Sequence, residues 1–291
     1  MERPPWIKKR IPLTGLSSME TMIKEMNLHT VCQSADCPNM GECFSNKTAT
    51  FMILGGVCTR SCRFCSVEKK GSPSPYDLSE AQRVAEAVSK LGLEHAVITS
   101  VTRDDLPDGG AMLFAETILA IRKKIPSTTV EVLVPDFQEN LPALLKIFQV
   151  KPEVFSHNVE TIKSFYPHVR PEANYERSLR VLKKGFDYGG MAIKSGFMVG
   201  LGETREEVQM LLEDLARNGV SIVTIGQYLQ PSPFHIPIVE YVRPEVYEVY
   251  TKIAYEVGIK YVIAGPLVRS SYRAAAAWKD FESTLKGNIL K

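Results

Sequence analysis

The chain has 291 residues, 44% of them hydrophobic and 23% charged, and a formal charge of +2; this suits one α/β barrel with short extensions and argues against disorder. So small a charge, with basic residues scattered apart from Lys8, Lys9 and Arg10, gives no reason to expect a nucleic-acid partner. The start, Met1 to Arg10, has no apolar stretch of signal-peptide length, and no run of about 18 apolar residues predicts a membrane span, so a cytoplasmic enzyme is expected.

All six cysteines lie between Cys32 and Cys65. Such clustering in a chain of this size points to metal or redox chemistry rather than to disulfide staples. Cys32, Cys37 and Cys43, with four and then five residues between them, sit in an arm before the first predicted strand. Their spacing alone allows a labile zinc knot or a ferredoxin-like cluster.

From Thr50 onward β-branched runs alternate with helical patterns. Strands are predicted at Thr50 to Leu54, Ala96 to Ser100, Thr129 to Val134, Val154 to His157, Ala192 to Val199 and Ile222 to Ile225. The helices between them present core faces such as Val84, Val88 and Leu91; Phe114, Ile118 and Ile121; Leu141, Leu144, Leu145 and Phe148; and Val246, Val249, Ile253 and Val257. This rhythm predicts a parallel sheet, either doubly wound or curved into a barrel, and six units fall short of the eight of a closed barrel. The loops after the strands then gather at one mouth. They carry Cys58 to Cys65, Thr102 to Asp105, Asp136, Asn158 with Glu160, Gly200 to Glu203, and Gln227 with Gln230.

Cys58, Cys62 and Cys65, spaced by three and then two residues on the loop after the first strand, suit three corners of a cubane cluster whose fourth iron stays open. Structural zinc wants four ligands and fits a lone triad poorly. The segment Cys58-Thr59-Arg60-Ser61-Cys62-Arg63-Phe64-Cys65 resembles the signature of the radical S-adenosylmethionine superfamily, including the aromatic Phe64. With Cys32 to Asn39, Gly41-Glu42-Cys43, Thr48 to Gly55, Arg103 to Ala111, Gly226 to Ser232 and Arg269-Ser270-Ser271-Tyr272, the chain closely resembles the lipoyl synthases from Trp6 to about Ala276. Phe44 stands where tryptophan is expected, and Thr102 where aspartate is common.

The resemblance implies an incomplete (β/α)6 barrel of the radical S-adenosylmethionine type over residues 50–259. An N-terminal arm over 1–49 carries the auxiliary-cluster cysteines and a C-terminal extension over 260–291 carries a serine ligand. It implies two 4Fe-4S clusters: one on Cys58, Cys62 and Cys65 that drives cleavage of S-adenosylmethionine to an adenosyl radical, and an auxiliary one on Cys32, Cys37, Cys43 and Ser271 that gives up sulfide. The reaction implied is insertion of sulfur at carbons 6 and 8 of an octanoyl group on a lysine. Asn158 and Glu160 are implied as ribose contacts, Arg177 as the partner of the methionyl carboxylate, and Phe64, Gly200 and Gly202 as supports of the cofactor. Implied partners are octanoylated lipoyl carrier domains or the glycine cleavage H protein, an electron donor such as flavodoxin or ferredoxin, and an iron-sulfur carrier.

Residue physics alone reads some of these positions differently. A serine before the Ala-rich stretch from Arg273 reads as a helix N-cap, which Ser270 could supply. His157 reads as a buried strand end. Gly200 to Glu203 reads as a tight strand-helix turn, with Thr204 and Glu207 forming a capping box. His29, His95, His168 and His235 lack mutual ligand spacing and read as surface or packing residues. A thiolating enzyme of RNA is a rival that the missing basic extension disfavours; a zinc-stabilised scaffold is a rival outside enzymes.

Overall fold

The computed structural model describes residues 2–8, 16–35, 37–45, 49–69, 71–73 and 75–289; Lys9, Arg10, Asp36 and Thr48 of the sequence patterns lie outside it. Eight strands form one sheet in sequential order: β1 His29–Thr30, β2 Thr50–Ile53, β3 His95–Ser100, β4 Thr129–Leu133, β5 Val154–Ser156, β6 Ala192–Val199, β7 Ile222–Gln227 and β8 Tyr261–Gly265. Only β1 runs antiparallel, His29 opposite Met52; from β2 to β8 every neighbouring pair is parallel. The sheet does not close. A helix follows each parallel strand, as right-handed crossovers require.

The parallel strands form where the sequence predicts them because their residues are buried on both faces, as in β2 and β7. Two strands depart from expectation. Tyr261–Gly265, read as part of the extension, is a seventh parallel strand paired with β7, and its half-exposed side chains give it an edge strand's pattern. β1 is too short for any periodicity to reveal it.

Helix ends follow local chemistry. Thr204 and Glu207 form the predicted capping box on Arg205–Arg217, and Asn140 and Asn174 cap Leu141–Gln149 and Tyr175–Tyr188. Two core faces are displaced. Leu141 is exposed at a helix start, and that helix buries Ala143, Leu144, Ile147 and Phe148 instead. Helix Pro244–Glu256 buries Tyr247, Tyr250, Ile253 and Ala254 rather than its valines. Met19, Ile23, Leu28 and Phe44 of the arm join the same hydrophobic core as the barrel.

One charged pair is sealed among the strands. Lys194 of β6 puts Nζ 2.8 and 3.0 Å from the two carboxylate oxygens of Glu131 on β4, both residues being almost inaccessible. Burial opposes the Glu131 carboxylate, yet Lys194 outweighs it and holds the group below its ordinary value. His95 lies 3.6 Å from Glu131 and stacks on Trp278 of the last helix. Removing one member should be far worse than removing both. Lys194→Met is expected to cost about 3–5 kcal/mol in urea unfolding, and the added Glu131→Leu to recover most of it; equal losses in single and double variants would contradict this.

Candidate active site

Loops at the carboxyl ends of the parallel strands, the cysteine arm and the turn after β8 surround a cavity of about 850 Å³. All six cysteines line it, none in a disulfide. The loop trio is fixed by backbone contacts from several elements. Cys58 N–H donates to Glu68 O (2.8 Å), Arg63 N–H to Val169 O (2.9 Å), Lys69 Nζ to Cys62 O (2.7 Å), and His235 Nε2 to Cys65 O (3.0 Å). In the arm, Cys32 sits in the short helix Val31–Ser34, whose first turn Thr30 caps, and Cys43 in Met40–Ser45.

Burial pushes the Cys32 and Cys65 thiols up to about 11 and raises Cys62 as well, Arg170 opposing the rise at Cys62. Buried thiolates without enough positive charge nearby are costly, and a cationic iron core is the kind of group that removes that cost. Among the described residues no three thiol, imidazole or carboxylate groups converge on one point as a single metal ion would need. The donor set fits iron-sulfur clusters, which spread their ligands around a cube.

The turn after β8 reaches the cavity because Gly226 leaves room for it: a Cβ on Gly226 would stand 2.2 Å from Val268 O. Within this turn the two serines face different neighbours. Ser270 Oγ accepts from Asn158 Nδ2 at 2.6 Å, and Ser271 Oγ accepts from the Thr50 hydroxyl at 2.7 Å. The following helix begins only at Ala274. The helix-cap reading of Ser270 is therefore corrected: an intervening turn separates it from the first helical residue, and its hydroxyl is engaged across the mouth.

Phe64, Asn158, Glu160 and Ser271 line the cavity with the cysteines; Arg177, Gly200 and Gly202 do not. Arg177 is drawn off by Asp136, to which its Nε donates at 2.8 Å, and by Glu172 O. The arginine that lines the cavity on this side is Arg170. Its Nη1 donates to Asn158 O (2.9 Å) and Val159 O (3.1 Å), and its face stacks on Tyr166. Nothing in the local sequence Val169-Arg170-Pro171 separates it from a surface arginine, so sequence reasoning missed it. Gly200 answers a steric need of the loops: a Cβ there would lie 2.1 Å from Gln227 Nε2 and 2.5 Å from Glu240 O. Arg103 pairs with Asp105, not with Asp104, which turns to Arg60.

Asn158 and Glu160 sit together, Asn158 Nδ2 donating to Glu160 Oε1 at 3.1 Å. Burial raises the Glu160 carboxyl, while Arg170 and Asn158 oppose the rise. Asn158 Oδ1 and Arg170 Nε are buried without a hydrogen-bond partner, a state that a polar ligand or its water would relieve.

A family model for the radical SAM superfamily matches residues 52–215. The lipoyl synthase of Caldanaerobacter subterraneus subsp. tengcongensis is 56% identical over 275 residues, covering 94% of this chain and 96% of the relative. That of Rubrobacter xylanophilus is 51% identical over 280 residues, with coverages of 96% and 87%. The chain belongs to the lipoyl synthases. As a lipoyl synthase it is a radical S-adenosylmethionine sulfurtransferase that uses 4Fe-4S clusters. Among solved structures, Streptococcus suis SuiB bound to S-adenosylmethionine superposes with a TM-score of 0.60 at 9% identity, over 78% of this chain and 53% of SuiB. Methylornithine synthase (PylB) superposes with 0.53 at 12% identity, over 86% and 82%. These likenesses speak for the fold alone, an open barrel shared across distant sequences.

Behind Asn158, His157 is buried, its Nδ1 2.8 Å from Val134 O and its Nε2 3.0 Å from Ser178 Oγ. Desolvation, with Arg170 adding to it, lowers its pKa to about 4. The unfolded chain therefore binds this proton more readily. The stability contributed is present above the unfolded value and is lost as pH falls from about 6.5 toward 4. Acid titration of the cluster-free chain should show a loss of up to about 3 kcal/mol across that window, flattened in His157→Gln; an unchanged slope would mean that His157 is charged when folded.

Proposed function

We propose that Cys58, Cys62 and Cys65 hold the cluster that cleaves S-adenosylmethionine, that Cys32, Cys37, Cys43 and Ser271 hold the auxiliary cluster, and that the octanoyl chain is drawn between them. One observation supports this above all: both cysteine trios and Ser271 open on the same cavity. When bound, these groups supply a reducing electron, a hydrogen-abstracting adenosyl radical and the sulfur that enters carbons 6 and 8 of the octanoyl group. The chain's own residues do the rest.

Arg170 replaces Arg177 as the proposed partner of the methionyl carboxylate, since a guanidinium fork lining the cavity suits a planar anion. Asn158 and Glu160 take the ribose hydroxyls, and Phe64 flanks the adenosyl group. Gly200 acts at one remove, by letting the loop at Glu240 pack on the mouth, and Gly202 by taking a left-handed turn with φ 107°. The Thr50 hydroxyl donates to Ser271 Oγ, and a donated hydrogen bond stabilises the anionic oxygen that a serine ligand presents. Serine oxygen is harder than thiolate and holds iron less firmly, which suits a cluster that is dismantled. Val101, Val134, Phe197 and Met198 give the octanoyl chain apolar walls and keep water from the reacting carbons.

The arm over 1–49 and the extension over 260–291 then act as two covers of the barrel over 50–259, although β8 belongs to the sheet. The substrate is an octanoyl-lysine of a lipoyl carrier domain, a glycine cleavage H protein or a peptide. Flavodoxin or ferredoxin supplies electrons, and an iron-sulfur carrier rebuilds the auxiliary cluster. No helix of the described residues is long and apolar enough to cross a membrane.

Arg170→Ala is expected to weaken S-adenosylmethionine binding roughly ten- to a hundredfold, the value of a desolvated charge-assisted contact of about 1.5–3 kcal/mol; calorimetry giving wild-type affinity would remove Arg170 from the site. The two trios separate in anaerobic single-turnover assays that count 5′-deoxyadenosine and thiolated peptide together. Cys58→Ala should form neither product. Cys37→Ala should still form some deoxyadenosine but insert no sulfur, and wild-type sulfur insertion by that variant would refute the division of labour.

A further inference from the structure

The loop trio is gripped by a charge chain that the proposed chemistry does not use. Arg60, between Cys58 and Cys62, is almost wholly buried and spends its entire fork on two carboxylates. Nε and Nη2 donate to Asp104 at 2.7 and 2.9 Å, and Nη1 and Nη2 to Asp136 at 3.1 and 2.6 Å. Asp136, wholly inaccessible, also accepts from Arg177 Nε and from Gln138 N–H (3.1 Å). Asp104, Arg60, Asp136 and Arg177 thus form a chain that alternates in sign and sums to zero. They link the cysteine loop to the loops after β3 and β4 and to helix Tyr175–Tyr188.

The residues around Arg60 are fixed as well. Thr59 N–H donates to Thr102 O (3.0 Å), Asp104 N–H donates to the Thr59 hydroxyl (3.0 Å), and Ser61 N–H and hydroxyl both donate to Glu172. Burial penalises both members of the Arg60 pair, yet the mutual bonds outweigh it: Asp136 is held well below the usual carboxylate range and Arg60 above its own. A buried ion-pair network is a poor source of net stability, because desolvation cancels most of the attraction. What it does supply is a fixed geometry, two planar forks meeting at set angles.

We propose that Arg60, through Asp104 and Asp136, is a positioning residue for the S-adenosylmethionine-cleaving cluster: it sets the separation of Cys58 and Cys62 and so aims the open iron at the cavity. This rests on the assignment of that cluster to the loop trio. A lysine in its place keeps the charge but has one nitrogen, so it cannot bridge two carboxylates in a plane. The fork, not the charge, therefore sets the geometry of the loop.

The test uses full-length protein reconstituted anaerobically with iron and sulfide, as wild type, Arg60→Lys and Asp104→Asn. Asp104 is about a quarter exposed at its side chain, so its variant does not depend on neutralising a fully buried charge. Three quantities are read: the melting temperature of the cluster-free chain, the rate of iron loss to a chelator, and the change in the reduced cluster's electron paramagnetic resonance spectrum on adding S-adenosylmethionine. The proposal expects both variants to lose iron from the loop cluster at least about tenfold faster and to show a weakened or altered response to S-adenosylmethionine. It expects the Asp104→Asn melting temperature to stay near wild type. A wild-type spectral response in either folded variant overturns it, whatever happens to the melting temperature, because the network would then be structural only. If wild-type protein itself shows no response to S-adenosylmethionine, the assignment of the cluster to this loop fails instead.

Discussion

The two edge strands of the sheet, β1 and β8, do not pair, and side chains of the arm and of β2 reach across to the turn after β8. Thr50 at the start of β2 donates to Ser271, Asn39 Nδ2 donates to Leu267 O at 2.7 Å, and the Tyr272 hydroxyl meets the Glu42 carboxylate at 3.2 Å. A backbone ladder here would bring strands to within about 5 Å and close the barrel. Side-chain contacts join the arm to the turn after β8 instead, and both line the cavity at the mouth. Arm and final turn depend on each other, so neither edge of the mouth is set by the barrel alone. Contacts of this kind cost less to open than a strand pair.

Polar groups at the mouth are held mainly by main-chain atoms and by each other. Arg170 uses carbonyls of Asn158 and Val159, and Glu203 accepts from the N–H groups of Gly200 and Leu201. Asn158 is the exception, since it reaches Glu160 on its own loop and Ser270 on the far side. The neighbouring serine touches Thr50, so one short turn is in contact with both halves of the cavity. That adjacency follows from Gly226, which lets Val268 rest directly on β7.

Much of this was legible in the sequence because it rests on spacing. The cysteine intervals, the buried runs of β2 to β7 and the Thr204–Glu207 box are local patterns with local causes. What was missed depends on partners distant in sequence. Tyr261–Gly265 is a strand because β7 offers it an edge, and its half-exposed residues carry no alternation to betray it. Arg177 and Arg170 are equally plausible anion partners as residues; Asp136, 41 positions before Arg177, takes one of them out of the cavity. Ser270 read as a cap since propensity cannot register the turn that separates it from Ala274. Leu141 read as core because periodicity does not say where the first turn of a helix emerges into solvent.

The raised thiols of Cys32, Cys62 and Cys65 bear on the life of the chain before any iron reaches it. Disulfide exchange and peroxide attack require thiolate, and a thiol with a pKa near 11 is ionised about one part in ten thousand at neutral pH. Each trio therefore contains at least one sulfur that stays protonated and slow to oxidise. The same burial that slows the oxidation of these three sulfurs makes their ionisation costly, a cost that a cationic iron core binding the deprotonated sulfur would offset.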